Sequence, residues 1–342
     1  MRRIAIEEHF FTKDYVDYLY SRKDCPRHEI FEDETHRKLE RVWAHPSLPP
    51  IVASIDKPNL TTRLLDLGEG RLRDMDKAGI DMAVLSLGEP GVEIFDASDG
   101  ATWARRTNDE LAKVIKQYPK RFSGMAAIAP QDPRGAADEL KRAVTELGLR
   151  GTMINSNVQG EYLDDKKYWT IFETAEELDV PIYIHPKWPS DDMLKPYLAY
   201  TGLPRAMWGF AAEVGLHAIR LILSGVFDQY PRLKIILGHL GEALPYWLWR
   251  IDNKCPSSLI QKLRKKPSEY FKENFFVTTS GMFWQPPFLC AYMAVGADHI
   301  CFAIDYPREP SEVAVQFMDS VPICDSDREK VYHGNAEKLF AL

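Results

Sequence analysis

Four short apolar runs in the sequence each end in residues that could bind a metal ion or transfer a proton. The first runs into Glu7 and His9, and the others end at His185, His239 and Asp305. A side chain at the carboxyl end of a parallel strand points toward the mouth of a barrel, where (β/α)₈ enzymes carry out their chemistry. Four such strand ends in one chain predict a single site on a single barrel.

Alternation along the strands predicts which side chains face inward. In the first strand we expect Glu7 and His9 to share the inward face with Ala5, while Ile4 and Ile6 pack on the surrounding helices. In the fifth strand the same rule places Tyr183 and His185 on one face. In the eighth strand it places Cys301, Ala303 and Asp305 on one face.

The inward-facing donors predict a metal site. Two carboxylates and two imidazoles form a nitrogen and oxygen set that suits Mn²⁺, Zn²⁺ or another divalent first-row metal. The predicted ligands are Glu7, His9, His185 and Asp305. A buried Glu7 without a cation would carry a large desolvation penalty, so the alternative to a metal is an ion pair with Arg3 or Lys57.

His239 and Glu242 predict a positioned acid–base pair, because residues 237–242 describe a strand that turns directly into a helix. Glu242 would lie close enough to accept the second ring proton of His239, which fixes the tautomer and raises the basicity of the imidazole. The alternative is that Glu242 only complements a helix N-terminus. His217 falls on an apolar helical face and is expected in the core or just behind the site.

The elements that carry these residues alternate along the chain, with segments of helical spacing between most of the strands. Strands are predicted near residues 3–8, 81–87, 122–128, 150–155, 181–185, 234–238, 275–279 and 300–304. Eight such units, with apolar runs typical of strands covered on both faces, predict an α/β fold of the (β/α)₈ TIM-barrel type. An open doubly wound sheet is the alternative, disfavoured because no glycine-rich phosphate-binding motif follows a strand.

Length and composition fit one barrel domain over residues 1–342. The chain has 342 residues, of which 45% are hydrophobic and 11% aromatic, and barrels with insertions reach this length. Long insertions are predicted after the first strand, at residues 10–57, and after the fifth, at residues 186–206. Because both follow strand ends, we expect them to roof the pocket.

Charge and cysteine content limit the kinds of binding partner and the cellular compartment that we expect. The net charge of −7 and the lack of a basic run argue against nucleic acid or an anionic membrane as the main partner. Five widely separated cysteines without a C-x-x-C pair favour reduced thiols in the cytoplasm. We find no signal peptide and no spanning segment of about 20 apolar residues, so a soluble protein is expected.

Several motifs together resemble one enzyme family, the amidohydrolase superfamily, in its branch of aminocarboxymuconate-semialdehyde decarboxylase and aromatic acid decarboxylases. The motifs are Glu7-x-His9, Tyr183-Ile184-His185-Pro186, Gly238-His239-Leu240-Gly241-Glu242 and Ile304-Asp305-Tyr306-Pro307. Segments 106–109, 129–133 and 241–248 are most similar to 5-carboxyvanillate decarboxylases, and the chain is also similar to γ-resorcylate (2,6-dihydroxybenzoate) decarboxylases. His9 matches the γ-resorcylate type, because the carboxyvanillate enzymes carry a small residue there.

The resemblance implies a metal-dependent, non-oxidative decarboxylase of an ortho-hydroxylated benzoate, in which the ring is protonated before CO₂ leaves. It implies that Glu7, His185 and Asp305 bind the metal, with His9 as an additional ligand. Asp305 would also donate the proton, and His239 with Glu242 would act on the phenol. Two-metal members of the superfamily carry a bridging lysine at the end of strand four. Residues 153–156 contain none, so one metal ion is expected.

The resemblance also implies substrate contacts and an assembly. Arg250 corresponds to an arginine that reaches a neighbouring subunit's pocket, which implies a homodimer or homotetramer; the alternative is a surface arginine paired with Asp252. Lys187 could bind a second substrate carboxylate or be a solvated loop residue, and Phe210 could form a pocket wall. Two other functions stay open: a metal-dependent hydrolase or hydratase of the same superfamily acting on a lactone, amide or unsaturated acid, and a non-catalytic metal-bound binding protein.

Overall fold

A ring of parallel strands forms the centre of the structure, a computed structural model that describes residues 1–56 and 58–342. The strands of the described residues are β1 (Ile4–Phe10), β2 (Arg27–Glu32), β3 (Lys38–Trp43), β4 (Ile51–Ser54), β5 (Met82–Leu87), β6 (Phe122–Gly124), β7 (Ala126–Ala127), β8 (Thr152–Asn155), β9 (Ile182–His185), β10 (Ile235–Leu237), β11 (Phe275–Thr278) and β12 (Ile300–Cys301).

Helices surround the ring and connect its strands. They are α1 (Lys13–Ser21), α2 (Leu60–Leu65), α3 (Glu69–Ala78), α4 (Ala97–Gln117), α5 (Pro133–Thr145), α6 (Trp169–Glu177), α7 (Asp191–Leu194), α8 (Gly209–Ser224), α9 (Val226–Gln229), α10 (His239–Glu242), α11 (Leu244–Lys254), α12 (Ser257–Ile260), α13 (Pro267–Asn274), α14 (Gln285–Val295), α15 (Ser311–Ser320), α16 (Asp325–Glu329) and α17 (Asn335–Phe340).

The ring follows chain order and closes on itself. β1 pairs with β5 and β5 with β6, and each strand from β7 to β12 pairs in parallel with the next. β6 and β7 form one strand position interrupted at Met125. Between the last and the first strand, the backbone N–H of Ile6 donates to Phe302 at 3.2 Å and that of Asp305 donates to Glu7 at 3.0 Å. The predicted (β/α)₈ barrel is therefore confirmed, while its extent as one domain stays a prediction.

The helices bury one face each against the outside of the ring, and α5 illustrates why the sequence forms them. Asp132 caps this helix by accepting the backbone N–H of Gly135 at 3.1 Å, and Pro133 occupies the first turn, where no intrahelical donor is needed. Ala136 and Leu140, one turn apart, are buried. Burial of such apolar stripes is what holds the helices on the barrel.

The inside of the barrel contains an apolar cluster separate from the layer between strands and helices. The strands contribute Ile4, Ile6, Met82, Val84, Met125, Met153, Tyr183, Ile236, Phe276, Cys301 and Ala303. Leu339 and Phe340 of α17 pack on this cluster, so the C-terminal helix closes the end of the barrel opposite the carboxyl ends of the strands. The predicted inward faces of strands five and eight are thus confirmed.

The first strand departs from simple alternation. Ile4 and Ile6 point into the barrel, and Ala5 packs in the outer layer with the helices, so the predicted faces of these three residues were wrong. The cause is a register shift between Ala5 and Glu8 in the pairing of β1 with β5. Such a bulge re-aims the following side chains, and it allows Ile6 and Glu7 to face inward in succession.

The two predicted insertions meet over the mouth of the barrel. The first contains α1 and an antiparallel sheet of β2, β3 and β4, which was not predicted from the sequence. The second insertion contacts the first, because Arg205 donates to the carbonyl of Pro49 at 2.9 Å and Trp188 packs with Leu48. Among the described residues, no helix has the length and apolarity needed to cross a bilayer.

Candidate metal centre and active site

Four buried side chains converge at the mouth of the barrel. They are Glu7, His9, His185 and Asp305, and one ligand atom from each lies within 4.8 Å of the other three. The bulge in β1 directs Glu7 inward, and Asp305 follows β12 with a left-handed φ of 76°. The rings of His9 and His185 meet edge to face, with centroids 4.6 Å apart.

The unpaired atoms of this cluster fit a cation. Glu7 Oε1, His9 Nε2 and Asp305 Oδ1 are buried and have no hydrogen-bond partner, although His9 Nε2 lies 3.2 Å from Asp305 Oδ1. His185 Nε2 lies 3.6 Å from Glu7 Oε1. Buried polar atoms without partners are costly. One divalent ion would satisfy all four donors, so the residues suit the predicted metal.

Hydroxyl groups hold Glu7 in place. Its Oε2 accepts hydrogen bonds from Thr278, at 3.0 Å, and from Tyr183 and Ser280. Burial, together with the charge of Glu7, raises the pKa of Tyr183 well above its ordinary value, so the phenol stays a donor. These three bonds occupy one carboxylate oxygen and leave Oε1 directed at the other ligands.

The alternative of an ion pair at Glu7 finds no support. Arg3 instead pairs with Asp319 at 3.2 Å, and among the described residues no lysine or arginine lies within 4.0 Å of the Glu7 carboxylate. Lys57, the other candidate partner, lies outside the described residues. The metal interpretation of the buried carboxylate is therefore the one that the contacts favour.

His185 is held in a neutral form. Burial lowers its pKa well below the ordinary value, and the nearby His9, His239 and Arg308 lower it further. Its Nδ1 lies 2.8 Å from Asn155 Oδ1 at the end of β8. A neutral imidazole with one nitrogen already bonded is the form in which histidine binds a metal.

His239 and Glu242 form the predicted pair. Nδ1 of His239 lies 2.8 Å from Glu242 Oε1, and the Glu242 side chain is buried. Burial lowers the pKa of His239, but the Glu242 carboxylate, with smaller contributions from Glu7 and Asp305, outweighs burial and raises that pKa to about 10. Glu242 lies just before the first turn of α11, but its carboxylate bonds His239, so the contacts favour the acid–base pair over the alternative of complementing a helix N-terminus.

The backbone that carries this pair is the short element α10 with Ala243 after it, and it is a left-handed turn and not a regular α-helix. His239, Leu240, Gly241, Glu242 and Ala243 all have positive φ angles, between 50° and 80°. Four of them are not glycine, and each costs roughly 1–2 kcal/mol in this conformation. Such strain is typical of functional sites. The left-handed turn directs the His239 imidazole toward the mouth of the barrel, and α11 begins only after the turn.

A cavity of about 270 Å³ opens beside the acid–base pair and Asp305. An engineered cavity of about 150 Å³ binds benzene, so this one has room for a single substituted ring. Its lining includes Met207, Trp208, Phe210, His239, Glu242, Met282, Asp305 and Glu309. The predicted wall residue Phe210 is therefore present at the cavity.

Comparison with known proteins identifies the family. Residues 41–342 match the family model described as Amidohydrolase. The chain belongs to the amidohydrolase family. This membership confirms the resemblance found in the motifs of the four strand ends, and the fold with it.

One named relative and two solved structures are similar to this amidohydrolase. It is 42% identical to the γ-resorcylate decarboxylase of a Polaromonas species, over 99% of this chain and 98% of that one. The 5-carboxyvanillate decarboxylase of Sphingomonas paucimobilis superimposes with a TM-score of 0.87 at 37% identity, covering 100% and 99% of the two chains. A dihydroxybenzoic acid decarboxylase of Polaromonas, solved with manganese and 2-nitroresorcinol, superimposes with a TM-score of 0.86 at 37% identity, covering 100% and 97%.

Two residues predicted to contact substrate lie outside this cavity of the amidohydrolase. Lys187 is buried, is not among the residues that line the cavity, and has Glu93 and Glu213 as charged neighbours. Arg250 is exposed on α11, and it forms no ion pair with Asp252, which instead accepts from Ser268. The substrate roles of Lys187 and Arg250 stay predictions.

Several residues that shape the site were not identified from the sequence. The hydroxyl run at residues 278–280, at the end of β11, was the available signal for the groups that bind Glu7. The segment 153–156 predicts a site without a bridging lysine, and no role for Asn155 follows from that. Glu93, which bonds Asn155, gave no signal at all, because it lies in an irregular segment between β5 and α4.

Proposed function

We propose that this amidohydrolase is a non-oxidative decarboxylase that requires one divalent metal and acts on an ortho-hydroxylated benzoate of the 5-carboxyvanillate or dihydroxybenzoate class. The observation that carries the proposal is the four-residue metal cluster beside an acid–base pair, at a cavity with room for one ring. The relatives support the reaction class, since those described above are named as decarboxylases of hydroxylated aromatic acids.

Glu7, His9, His185 and Asp305 are the proposed ligands of Mn²⁺ or Zn²⁺. When bound there, the ion supplies Lewis-acid charge that fixes and polarises the phenol and carboxylate oxygens of a chelating substrate. Manganese is supported by the Polaromonas structure that contains it. Residues 153–156 hold no bridging lysine, which supports a single ion.

Asp305 is the proposed proton donor, because it belongs to the cluster and also lines the cavity. It delivers a proton to the ring carbon that bears the carboxylate. The bond between that carbon and the carboxylate then breaks, its electron pair returns to the ring, and CO₂ leaves. Asp305 regains its proton from solvent. Protonation must come first, because an aryl carbanion is too unstable to form at neutral pH.

His239 and Glu242 are proposed to hold the phenol. Glu242 hydrogen bonds Nδ1 of the His239 imidazole, so Nε2 remains free to bond a substrate in the cavity. There a neutral imidazole takes the proton of the hydroxyl ortho to the carboxylate, and the imidazolium, which the raised pKa of His239 favours, donates from Nε2 to the phenolate oxygen. The phenolate increases electron density at the carbon that Asp305 protonates. Proton transfer by a positioned histidine contributes roughly 10²–10⁴-fold to a rate.

We also propose that Phe210 packs on the ring and that Arg250 enters the site of a neighbouring subunit in a homodimer or homotetramer. Support comes from the α11 patch, defined as Tyr246, Trp247 and Trp249, whose exposed fractions are 77%, 46% and 74%. Exposed aromatic surface of this extent is typical of protein interfaces. We retain Lys187 as a candidate for a second substrate carboxylate. We place the enzyme in the cytoplasm, which the five unpaired cysteines favour.

The direct test is CO₂ release from a panel that includes 5-carboxyvanillate and 2,6-dihydroxybenzoate, run on protein loaded with Mn²⁺ or Zn²⁺. We expect metal-dependent decarboxylation of at least one of them. Cleavage of lactones or amides without CO₂ release would overturn the proposal in favour of a hydrolase. Metal binding without turnover of any hydroxybenzoate would indicate a binding protein.

A further inference from the structure

Three buried side chains lead away from the proposed metal centre on the side of His185. His185 Nδ1 lies 2.8 Å from Asn155 Oδ1, and the amide nitrogen of Asn155 lies 3.3 Å and 3.4 Å from the two carboxylate oxygens of Glu93. The backbone N–H of Asn155 also donates to Glu93 Oε1 at 2.8 Å. Glu93, Asn155 and His185 are 1%, 2% and 3% exposed, so water does not compete for these bonds.

The donor and acceptor groups of these three side chains allow only one arrangement of hydrogen bonds. An ionised carboxylate can only accept hydrogen bonds, so the Asn155 face turned to Glu93 must be its NH₂ group. The amide oxygen then faces His185, which must donate from Nδ1. In a neutral imidazole the other nitrogen, Nε2, is then without a proton and carries a free lone pair. Nε2 is the atom directed at Glu7 and the other ligands.

Burial raises the pKa of Glu93, whereas the Asn155 donors and the charge of Lys187 oppose that shift and fit the ionised carboxylate, which accepts every one of these hydrogen bonds. Lys187 is buried nearby and supplies positive charge, while the two Asn155 donors satisfy the carboxylate. Glu93 does not line the cavity and contacts none of the four ligands. Among the described residues, the hydrogen bonds of the Glu93 carboxylate go to Asn155, which connects it to His185.

We propose that Glu93 is a positioning residue for the metal: by fixing the orientation of the Asn155 amide, it selects the His185 tautomer that binds the ion. This inference rests on the proposed metal site. Without the carboxylate, the Asn155 amide is free to rotate and present its NH₂ group to His185. The proton then moves to Nε2 and must be displaced before a metal can bind. Partners that orient a ligand in this way typically contribute 10–100-fold to metal affinity.

The test uses full-length protein and Mn²⁺, with the dissociation constant measured by calorimetry at constant pH. Glu93→Gln is expected to weaken Mn²⁺ binding roughly 10–100-fold. Asn155→Asp alone is also expected to weaken binding, because it places two buried carboxylates against each other. The double variant, which combines Glu93→Gln with Asn155→Asp, is expected to bind Mn²⁺ with a dissociation constant within about threefold of wild type. Its new amide at position 93 can accept from the backbone N–H of residue 155 and donate to the new carboxylate there. That carboxylate again accepts from Nδ1 of His185.

A matched control and a measurement on the wild type keep the inference falsifiable. Glu40→Gln alters another buried carboxylate that bonds a histidine, His28, at 2.9 Å outside the metal cluster, and it should leave Mn²⁺ affinity unchanged. In the metal-free wild type, ¹⁵N NMR should show His185 protonated at Nδ1, a result that needs no variant to fold.

Each outcome has a definite meaning. Rescue by the double variant, with His185 protonated at Nδ1, supports the inference, because a residue that only fills space would give additive losses. Unchanged affinity in Glu93→Gln, additive losses in the double variant, or a proton at Nε2 of the wild type would overturn it while leaving the proposed decarboxylase intact. A wild type that binds no Mn²⁺ would overturn the proposed function as well.

Discussion

The backbone of Gly91 lies directly against the amide of Asn155, in a left-handed conformation with φ of 70°. A Cβ at this position would overlap Asn155 Nδ2 and Glu93 Oε2. The hydroxyl of Tyr15 donates to the Gly91 carbonyl at 2.7 Å and holds the loop there. Only glycine therefore allows this loop and the Glu93–Asn155 contact to coexist.

Gly91→Ala is predicted to weaken both folding and metal binding. The left-handed backbone should cost about 1–2 kcal/mol of unfolding free energy, and the displaced Asn155 amide should lower Mn²⁺ affinity at least tenfold. Gly148→Ala is the control, because Gly148 has φ of 74° and nothing within 4 Å of its would-be Cβ. Urea unfolding and Mn²⁺ titration of both variants check this. Equal Mn²⁺ affinity in the two would contradict the predicted contact.

Removal of the metal is predicted to abolish decarboxylation and to destabilise the fold. Glu7, His9 and Asp305 are left with buried, unsatisfied atoms when no ion neutralises them. Free Mn²⁺ at 100 times its dissociation constant should add about 2.7 kcal/mol to stability. Dialysis against a chelator, followed by titration with Mn²⁺, should restore turnover at one equivalent. Full activity in protein shown by elemental analysis to be metal-free would refute this.

Changes in the acid–base pair are predicted to reduce turnover without releasing the metal. His239→Asn should lower kcat roughly 10²–10⁴-fold. Glu242→Gln should have a smaller effect and should lower the pKa of His239 from about 10, because the neighbouring negative charge is lost. His333→Asn is the control, at a histidine that lies just before α17 and pairs with Glu337 of that helix. Steady-state kinetics with metal analysis decide the matter, and wild-type kcat in His239→Asn would exclude the role.

His217 is predicted to make the protein sensitive to acid. Its Nε2 accepts the backbone N–H of Leu163 at 3.1 Å, and burial, with the charges of Arg220 and Lys187, lowers its pKa from 6.5 to about 3. Between about pH 3 and pH 6.5 the His217 imidazole is protonated in the unfolded chain but not in the folded protein. The stabilisation present above pH 6.5 is therefore lost as pH falls toward 3, by up to about 1.4 kcal/mol per pH unit.

The pH dependence of urea unfolding measures this contribution. His217→Gln should flatten the decline in unfolding free energy between pH 7 and about pH 5 relative to wild type. His36→Gln, at a histidine whose side chain is 90% exposed, should leave the slope unchanged. Parallel slopes for His217→Gln and wild type would show that burial of this imidazole does not control acid stability.

The α11 patch is predicted to mediate assembly. Trp249→Glu places a charge in this aromatic surface and should shift a dimer or tetramer to monomers at micromolar concentration, together with a loss of activity if Arg250 acts across the interface. Val313→Glu, at a residue 44% exposed on α15, is the control. Light scattering after size exclusion reports the mass. Wild-type assembly in Trp249→Glu would remove the support for an interface at α11.

The local sequence determined the strand ends and their chemistry. An apolar run that stops at a histidine or carboxylate can be recognised by itself, because strand length and residue type are local properties. The barrel, the four proposed ligands and the neighbouring His239 and Glu242 followed from this pattern and from the motifs. Strands β2 to β4 were not predicted, because residues 27–32, for example, do not alternate between polar and apolar types.

The tertiary structure alone decided the details that depend on contacts between distant residues. The bulge in β1 arises from its register with β5, and no pattern within residues 4–10 reveals it. Glu93 and Asn155 are separated by 62 residues, and their hydrogen bond exists only because the barrel brings a loop beside the end of β8. The type of a residue determines which hydrogen bonds its side chain can donate or accept. The closed barrel determines which of these groups lie within hydrogen-bonding distance of each other. The tautomer of His185 depends on both.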